Sequence, residues 1–398
     1  MKTFLCITLL SCTAFAASID DFDDWAAQPK EHFESGAKTF EAAKKELLEQ
    51  YLKDDLTEDE LYRAALAGML ARLDPAMRNY NRLLTPREFA ELNADLKGEA
   101  FGVGLMLKFD TASGRAEVLG IVHGSPAEKA DLREGDMVLS VDGVSFKGKQ
   151  LRDVVYAIRG KENEKVTLAV LRDAAVLSKT VERKRLKVET VTYEALPGDL
   201  AVIAIHSFNE TTPQAAKEAL AQATKAGAKA LIIDLRDDEG GLLEKALETA
   251  KLFLPKGKVI TRVLHRGNKE EVLTSDLEPA FGPVPTVVLV NGHTRSSAEL
   301  LAAAFREGLR APLIGAKTGG KWSVQSLKEL PNHYVMKYTM AVFRAPDGKS
   351  YEGEGLAPDI EVSQDENGIA RASRTKSPAD RLAIDAQLRA AASFLKLR

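Results

Sequence analysis

The sequence predicts an α/β protein whose larger part is a layered core of mostly parallel strands. Three apolar runs carry that expectation: Leu200 to Ile205, Ala230 to Leu235 and Thr286 to Val290. Each is short and nearly free of polar breaks, and helical stretches alternate with them. That is the pattern of strands buried on both faces between helices. Ahead of them the chain changes texture twice, which predicts an N-terminal helical region and then a compact module of short strands.

Residues 1–16 read as a signal peptide. Lys2 is a minimal positive n-region, Phe4 to Leu10 the apolar stretch, and Ala14-Phe15-Ala16 a small-residue cleavage site. The stretch is too short for a comfortable membrane span, so a periplasmic or secreted location is expected. Two other readings are an uncleaved anchor and a lipoprotein signal, Leu9-Leu-Ser-Cys12, that would tether the chain through an acylated Cys12. Cys6 and Cys12 are the two cysteines of the sequence. Cleavage after Ala16 removes both, and with them any disulfide or thiol chemistry.

Residues 17–97 read as helical. From Phe40 to Leu52, residues Phe40, Leu47, Leu48 and Leu52 fall roughly on one face. Thr57-Glu-Asp-Glu60 is a capping box, and the helix it opens stops before Pro75. Thr85-Pro86-Arg87-Glu88 opens another helix, with proline at its first position.

Residues 98–187 form the strand-rich module. Leu105 to Leu107, Val118 to Val122, Met137 to Val141 and Val166 to Leu171 read as strands, and Leu151 to Ile158 as a helix. Arg183-Lys-Arg-Leu-Lys187 reads as a solvated strand or linker. Residues 188–362 form the core, with helices over Pro213 to Ala226, Leu242 to Leu254 and Ser297 to Gly308. Residues 363–398 are a polar linker and one helix, Ala379 to Leu397.

Composition narrows the function. A net charge of -3 gives no field that favours nucleic acid. There is no Walker-type loop and no zinc spacing, and His32, His123, His206, His265, His293 and His333 form no ligand pair at helical spacing. No metal or cofactor is expected.

Ser296 and Lys321, 25 residues apart, each stand where an apolar run meets a polar turn. A serine hydroxyl needs a base close by, and a lysine serves if its surroundings keep the amine neutral. Ser-Lys hydrolases use this arrangement in place of Ser-His-Asp. Taken alone, Ser296 reads first as an N-cap for the helix that follows. The two roles are compatible, because a helix N-terminus offers backbone N–H groups. His293, three residues earlier, has no evident acid partner. Gly240-Gly241 and Gly102-Val-Gly-Leu105 each read either as a bend or as backbone that comes close to a ligand.

From Glu60 to Leu388 the chain resembles the carboxy-terminal processing proteases, Ser-Lys endopeptidases with an inserted PDZ domain. In order, the matching segments include Gly68-Met-Leu-Ala-Arg-Leu-Asp-Pro75, Gly102-Val-Gly-Leu105, Gly124-Ser-Pro-Ala-Glu-Lys-Ala130 and Val141-Asp-Gly143. Then come Leu231-Ile-Ile-Asp-Leu-Arg236 with Gly240-Gly241, Val287-Val-Leu-Val-Asn-Gly292, Ser296-Ser-Ala-Glu299, Lys321-Trp-Ser-Val-Gln325 and Gly355-Leu-Ala-Pro-Asp359.

The resemblance implies Ser296 as nucleophile and Lys321 as general base. It implies Gln325 as the amide that hydrogen-bonds and orients the lysine without adding charge. It implies an oxyanion hole made by the N–H of Ser297 with that of Gly240 or Gly241. It implies a carboxylate-binding loop at Gly102, Val103, Gly104 and Leu105, beside which a C-terminal tail adds as a strand. The expected function is cleavage of tailed protein substrates through an acyl-enzyme. The family's helical arms imply a homo-oligomer, and an activating partner protein is left open.

The sequence departs from the family in two places. The usual D-L-R-N-N-P-G-G reads Asp234-Leu-Arg-Asp-Asp-Glu-Gly-Gly241, so Asp237, Asp238 and Glu239 bring acids towards a developing oxyanion. Trp322 stands where the family has glycine, and it either dries the lysine or blocks the cleft. Two alternatives follow: an inactive PDZ scaffold that binds tails without turnover, and an α/β hydrolase of small esters indifferent to the PDZ module.

Overall fold

The computed structural model describes residues 35–73, residues 80–363 apart from Thr111, His123, Gln150 and Val188, and residues 377–396. The signal peptide, Pro75 and most of the polar linker lie outside the described residues. The chain divides into two compact units between Leu66 and Ala67.

The first unit holds helix α1, Gly36–Gln50, and most of α2, Glu58–Ala71. The capping box forms: the Thr57 N–H donates to Glu60 Oε2 at 2.9 Å, and the Glu60 N–H to Thr57 Oγ1 at 3.3 Å. Lys44 bridges Glu41 and Glu58, and Phe40 stacks on Tyr62. Leu47, Leu48, Tyr51 and Leu52 are exposed.

The second unit opens with β1, Arg82–Leu84, and α3, Pro86–Leu96, which starts on a capping box between Thr85 and Glu88. Strand β2, Glu99–Gly102, pairs antiparallel with β9, Lys184–Lys187. This two-stranded stalk encloses the strand-rich module. Its strands are β3 Leu105–Asp110, β4 Arg115–Ile121, β5 Met137–Val141, β6 Val144–Ser145, β7 Lys165–Arg172 and β8 Ala175–Glu182. They form one sheet in the order β3-β4-β5-β7-β8, with β6 on β5. Between them lie helices α4, Pro126–Lys129, and α5, Leu151–Ile158. Alternate residues such as Val118, Val138, Leu168 and Val170 face Val154 and Ile158 of α5.

Arg183 is not solvated as its charge run suggests. It is buried and donates to the carbonyls of Ala157, Ile158 and Lys165 at 2.8–3.0 Å. Two of these are end-of-helix carbonyls of α5, which have no intrahelical partner.

The core begins with β10 Val191–Leu196, β11 Leu200–Ile205, α6 Thr212–Lys225, β12 Ala230–Asp234 and α7 Leu243–Lys251. It continues through β13 Val259–His265, β14 Lys269–Thr274, β15 Thr286–Val290, α8 Ser297–Gly308 and β16 Leu313–Gly315. It ends with β17 Ser323–Glu329, β18 Val335–Arg344, β19 Ile360–Glu361, α9 Pro378–Ile384 and α10 Ala386–Lys396. One sheet runs β10-β11-β12-β15-β16-β19, parallel except for β10. Ile203, Ile205, Ile233, Val288 and Val290 face α6, α7 and α8. Their neighbours Val202, Ile232, Val287 and Leu289 face Leu388, Ala391 and Leu395 of α10. Burial on both faces is why these strands read as unbroken apolar runs.

A second sheet, antiparallel, runs β1-β18-β13-β14 with β17 on β18. The sequence reading assigned no strands to residues 259–274 or 335–344. Their apolar residues are interleaved with Lys, Arg and Thr, since the burial of β18 is only partial on one face.

The single C-terminal helix expected over Ala379 to Leu397 is two. Asp385 breaks it, with φ -84° and ψ 99°, and its carboxylate pairs with Arg236 at 2.8 Å. Arg236 also binds Asp234 at 2.7 Å and Gln387 at 3.1 Å. Burial pushes the Asp234 carboxyl up, but the adjacent guanidinium outweighs this and holds it below the usual range.

Candidate active site

Parallel strands deliver their C-terminal ends to one edge of the sheet, where turns can converge. The turn after β12 and the turn after β15 are bound to each other. Thr294 Oγ1 donates to the Leu235 carbonyl at 2.8 Å and accepts from the Asn291 N–H at 3.0 Å. Asn291 exchanges two hydrogen bonds with Asp237, at 2.8 and 3.1 Å. The Arg295 N–H donates to the Asp238 carbonyl at 2.9 Å.

Ser296 follows, buried, at the head of α8 with φ 56° and ψ -122°. A residue with a Cβ avoids that region unless its surroundings hold it there. Here the Ser296 N–H donates to Glu299 Oε2 at 3.0 Å. The serine thus presents its hydroxyl from a strained turn rather than from the extended backbone usual at an N-cap.

Lys321 Nζ stands 3.2 Å from Ser296 Oγ and donates as well to the Ser323 carbonyl at 3.2 Å. The ring of Tyr80 lies 5.2 Å from the same nitrogen. Burial foremost, with the nearby cation Lys337, lowers the lysine to about 8 against the pull of Glu352 and Glu299. A neutral amine within hydrogen-bond reach of a hydroxyl can take its proton.

Glu299 joins the backbones of Ser296 and Lys321. Its fully buried carboxylate accepts from the backbone N–H groups of Ser296, Gly320 and Lys321, and from the Thr318 hydroxyl. Sequence reasoning quoted Glu299 in the serine motif and gave it no role. Tyr80 and Lys337 went unnoticed altogether, because nothing local marks either one.

Gln325 does not hydrogen-bond Lys321 directly. Its amide donates to Ser323 Oγ at 3.0 Å and Thr339 Oγ1 at 3.4 Å. Ser323 stands between the two, since its carbonyl accepts from Nζ. The reason is register: Gln325 sits inside β17, opposite Thr339 of β18.

Gly240 packs against the serine and Gly241 against the Phe208 backbone. A Cβ on Gly240 would lie 2.8 Å from that of Ser296, and one on Gly241 would strike the Phe208 carbonyl at 2.0 Å. The Gly240 N–H donates to Asp238 Oδ1 at 2.8 Å, so it is engaged. Among the described residues no such bond holds the N–H of Gly241. The N–H of Ser297 belongs to the first turn of α8, where no intrahelical acceptor exists. Of the three acids in this turn, Asp237 and Glu239 are exposed, and only Asp238 is buried. Burial raises the Asp238 carboxyl well above the usual range, which favours its neutral form beside the serine.

Trp322 points away from the cleft. It is fully buried against Phe343 and Tyr351, with ring centres 4.8 and 5.2 Å distant. His293 is exposed, and its N–H donates to Asn291 Oδ1. Among the described residues no group of His, Cys, Asp or Glu is arranged to hold a metal.

In the strand-rich module Gly102 ends β2, and Leu105 starts β3. Val103 is buried, with its carbonyl accepting from the Ala127 N–H at 2.8 Å. Gly104 has φ 89°, and a Cβ there would lie 2.3 Å from that of Ser125. Only glycine fits. Strand β3 lies at one edge of its sheet.

Residues 199–362 match the model of peptidase family S41, and residues 117–172 match a PDZ domain. The chain is 34% identical over 313 residues to the carboxy-terminal processing protease CtpA of Bacillus subtilis, covering 78% of this chain and 66% of that protein. It is 33% identical over 314 residues to a probable CtpA-like serine protease of Staphylococcus aureus, covering 78% of this chain. The match spans only 62% of the length of that relative. Among solved structures, a photosystem II D1 C-terminal processing protease aligns with TM-score 0.54 and 25% identity, over 86% of this chain and 98% of the other.

Proposed function

The chain belongs to the carboxy-terminal processing proteases of peptidase family S41, and from that premise we propose a Ser-Lys endopeptidase acting on protein tails. The observation that carries the proposal is the 3.2 Å approach of Lys321 Nζ to Ser296 Oγ, with the lysine lowered to about 8.

The steps are these. A C-terminal tail adds beside β3, its carboxylate against Gly102, Val103, Gly104 and Leu105. Ser296 Oγ attacks a peptide carbonyl while Lys321 takes the hydroxyl proton. The N–H groups of Ser297 and Gly241 stabilise the oxyanion. The C–N bond breaks as the Lys321 ammonium protonates the leaving amine. The neutral lysine then draws a proton from water, which attacks the ester and frees the acid and Ser296.

Labelling with a serine-directed acylating probe, read as intact mass, tests this. One adduct on the native chain, lost in both Ser296→Ala and Lys321→Ala, is expected. Labelling of Lys321→Ala at the native rate would remove the dyad.

The second reading, a scaffold that binds tails without turnover, is favoured by one feature: the Gly240 N–H is taken by Asp238. It requires that folded protein stay unlabelled even with unstructured tail peptides present.

We also propose export, with cleavage after Ala16; a mature N-terminus other than Ala17 would refute that site. Self-association through α1 is proposed from its exposed Leu47, Leu48, Tyr51 and Leu52. Light scattering showing the same monomeric mass for the native chain and a Leu48→Glu variant would exclude it.

A further inference from the structure

Arg295, the residue before the nucleophile, is half-buried. Its Nε is buried without a hydrogen-bond partner, and no ion pair among the described residues includes its guanidinium. Its backbone is fixed, since the N–H donates to the Asp238 carbonyl at 2.9 Å. Its stem lies over Gly319, where a Cβ would come within 2.5 Å of Arg295 Cγ and 2.6 Å of Nε. The arginine therefore occupies the room that a glycine leaves two residues before the base.

The charge adjoins Ser296 in sequence, and its field reaches the tyrosine beside Lys321. Burial and Glu352 raise the Tyr80 phenol, and Arg295 is the cation that acts against them. The ring of Tyr80 in turn lies 5.2 Å from Lys321 Nζ.

None of the neighbouring acids is ion-paired to Arg295 among the described residues, and Glu352 accepts from the Trp322 backbone N–H at 2.7 Å. Glu299 holds four donors, Asp237 binds Asn291, and Asp238 Oδ1 accepts from Gly240. A cation drawn partly out of water with no counter-charge is unfavourable. A guanidinium is planar and matches a carboxylate through two parallel hydrogen bonds.

We propose that Arg295 receives a carboxylate of the substrate beside the scissile bond and so sets a preference for acidic groups there. The carboxylate is an Asp or Glu side chain, or the free terminus of a short tail. This rests on the peptidase reading and adds a specificity to it.

The test compares peptides that carry Asp or Glu against Asn or Gln at each position flanking the cleaved bond, and a free against an amidated C-terminus. Native chain, Arg295→Gln and Arg295→Lys are assayed side by side. The native chain is expected to favour the acidic member of a pair by about ten- to a hundredfold in kcat/KM, the worth of one hydrogen bond between charged groups. Arg295→Gln should erase that ratio, and Arg295→Lys should keep part of it. Which pair shows the effect identifies the source of the carboxylate. A ratio near one in the native chain, or one that survives Arg295→Gln, overturns the proposal. If no peptide is cleaved, the peptidase reading fails separately. The same pairs are then compared for binding to Ser296→Ala with and without Arg295→Gln, and an unchanged affinity ratio overturns the role of Arg295.

Discussion

The carboxylate of Glu299 accepts the backbone N–H of Lys321 at 2.8 Å while its Oε2 also accepts the N–H of Ser296 at 3.0 Å. One buried acid thus fixes the backbones of Ser296 and Lys321 relative to each other, although it hydrogen-bonds neither Ser296 Oγ nor Lys321 Nζ. Glu299→Gln places an amide N–H among donors that need an acceptor. An unsatisfied buried donor costs about 1–3 kcal/mol. If that loss falls on the aligned geometry, turnover drops by about tenfold or more. Glu299→Asp should recover less than half of it, since the shorter acid cannot reach both turns. Native turnover in Glu299→Gln would show that the dyad is aligned without it.

Activity should rise with pH through about 8, where Lys321 loses its proton and becomes a base. Lys337 and Glu299 act on that limb in opposite directions. Lys337→Met removes a cation that lowers the lysine, so the limb moves to higher pH. Glu299→Gln removes an anion that raises it, so the limb of whatever activity remains moves to lower pH. A kcat/KM profile for each variant checks the signs; shifts in the same direction would deny the electrostatic account. Stability follows the same linkage. Between about 8 and the ordinary 10.5, the unfolded lysine binds a proton that the folded one does not, so stability from this group rises with pH across that window.

The parts of this molecule legible in its sequence are those where a local pattern equals the tertiary role. Leu200 to Ile205 and Thr286 to Val290 read as strands because both of their faces are buried, which leaves no polar residue to blur the run. Ser296 and Lys321 are legible because each lies in a short motif at a fixed spacing. Residues 335–344 carry Lys337, Tyr338 and Arg344 on a half-exposed strand, so their pattern is not distinctive. Glu299 serves residues 19 to 22 positions later, and Asp385 pairs with an arginine 149 positions earlier. Neither link has a local signal. The role of Gln325 is implied by the family motif, whereas its contacts are set by the register of β17 on β18.

Arg236 ties the active-site turn to the C-terminal helices through Asp234 and Asp385, all three being buried. Replacing one partner of such a group leaves a charge without its match. Asp385→Ala is expected to cost about 3–5 kcal/mol in urea unfolding. Removal of the charge from both sides, Arg236→Met with Asp385→Leu, should cost clearly less than the sum of the single changes. Additive losses would mean that the pair is not coupled.

Trp322 separates the two readings of the sequence departure beside the base. A tryptophan that closes the cleft would, on replacement by glycine, open the site and leave stability nearly untouched. The structure places it among Phe343 and Tyr351 with no exposed surface, so it is a core residue. Trp322→Gly should therefore cost about 3–5 kcal/mol from the cavity, with a further loss for glycine's backbone freedom. Among the described residues the indole N–H has no partner, and a buried unpaired donor is itself unfavourable. Trp322→Phe keeps a ring in the cluster and removes that donor, so it should cost much less than the glycine variant. The rate of acylation per folded molecule should stay near native in Trp322→Phe. A stable Trp322→Gly protein that is acylated faster than the native chain would instead make Trp322 a lid over Lys321.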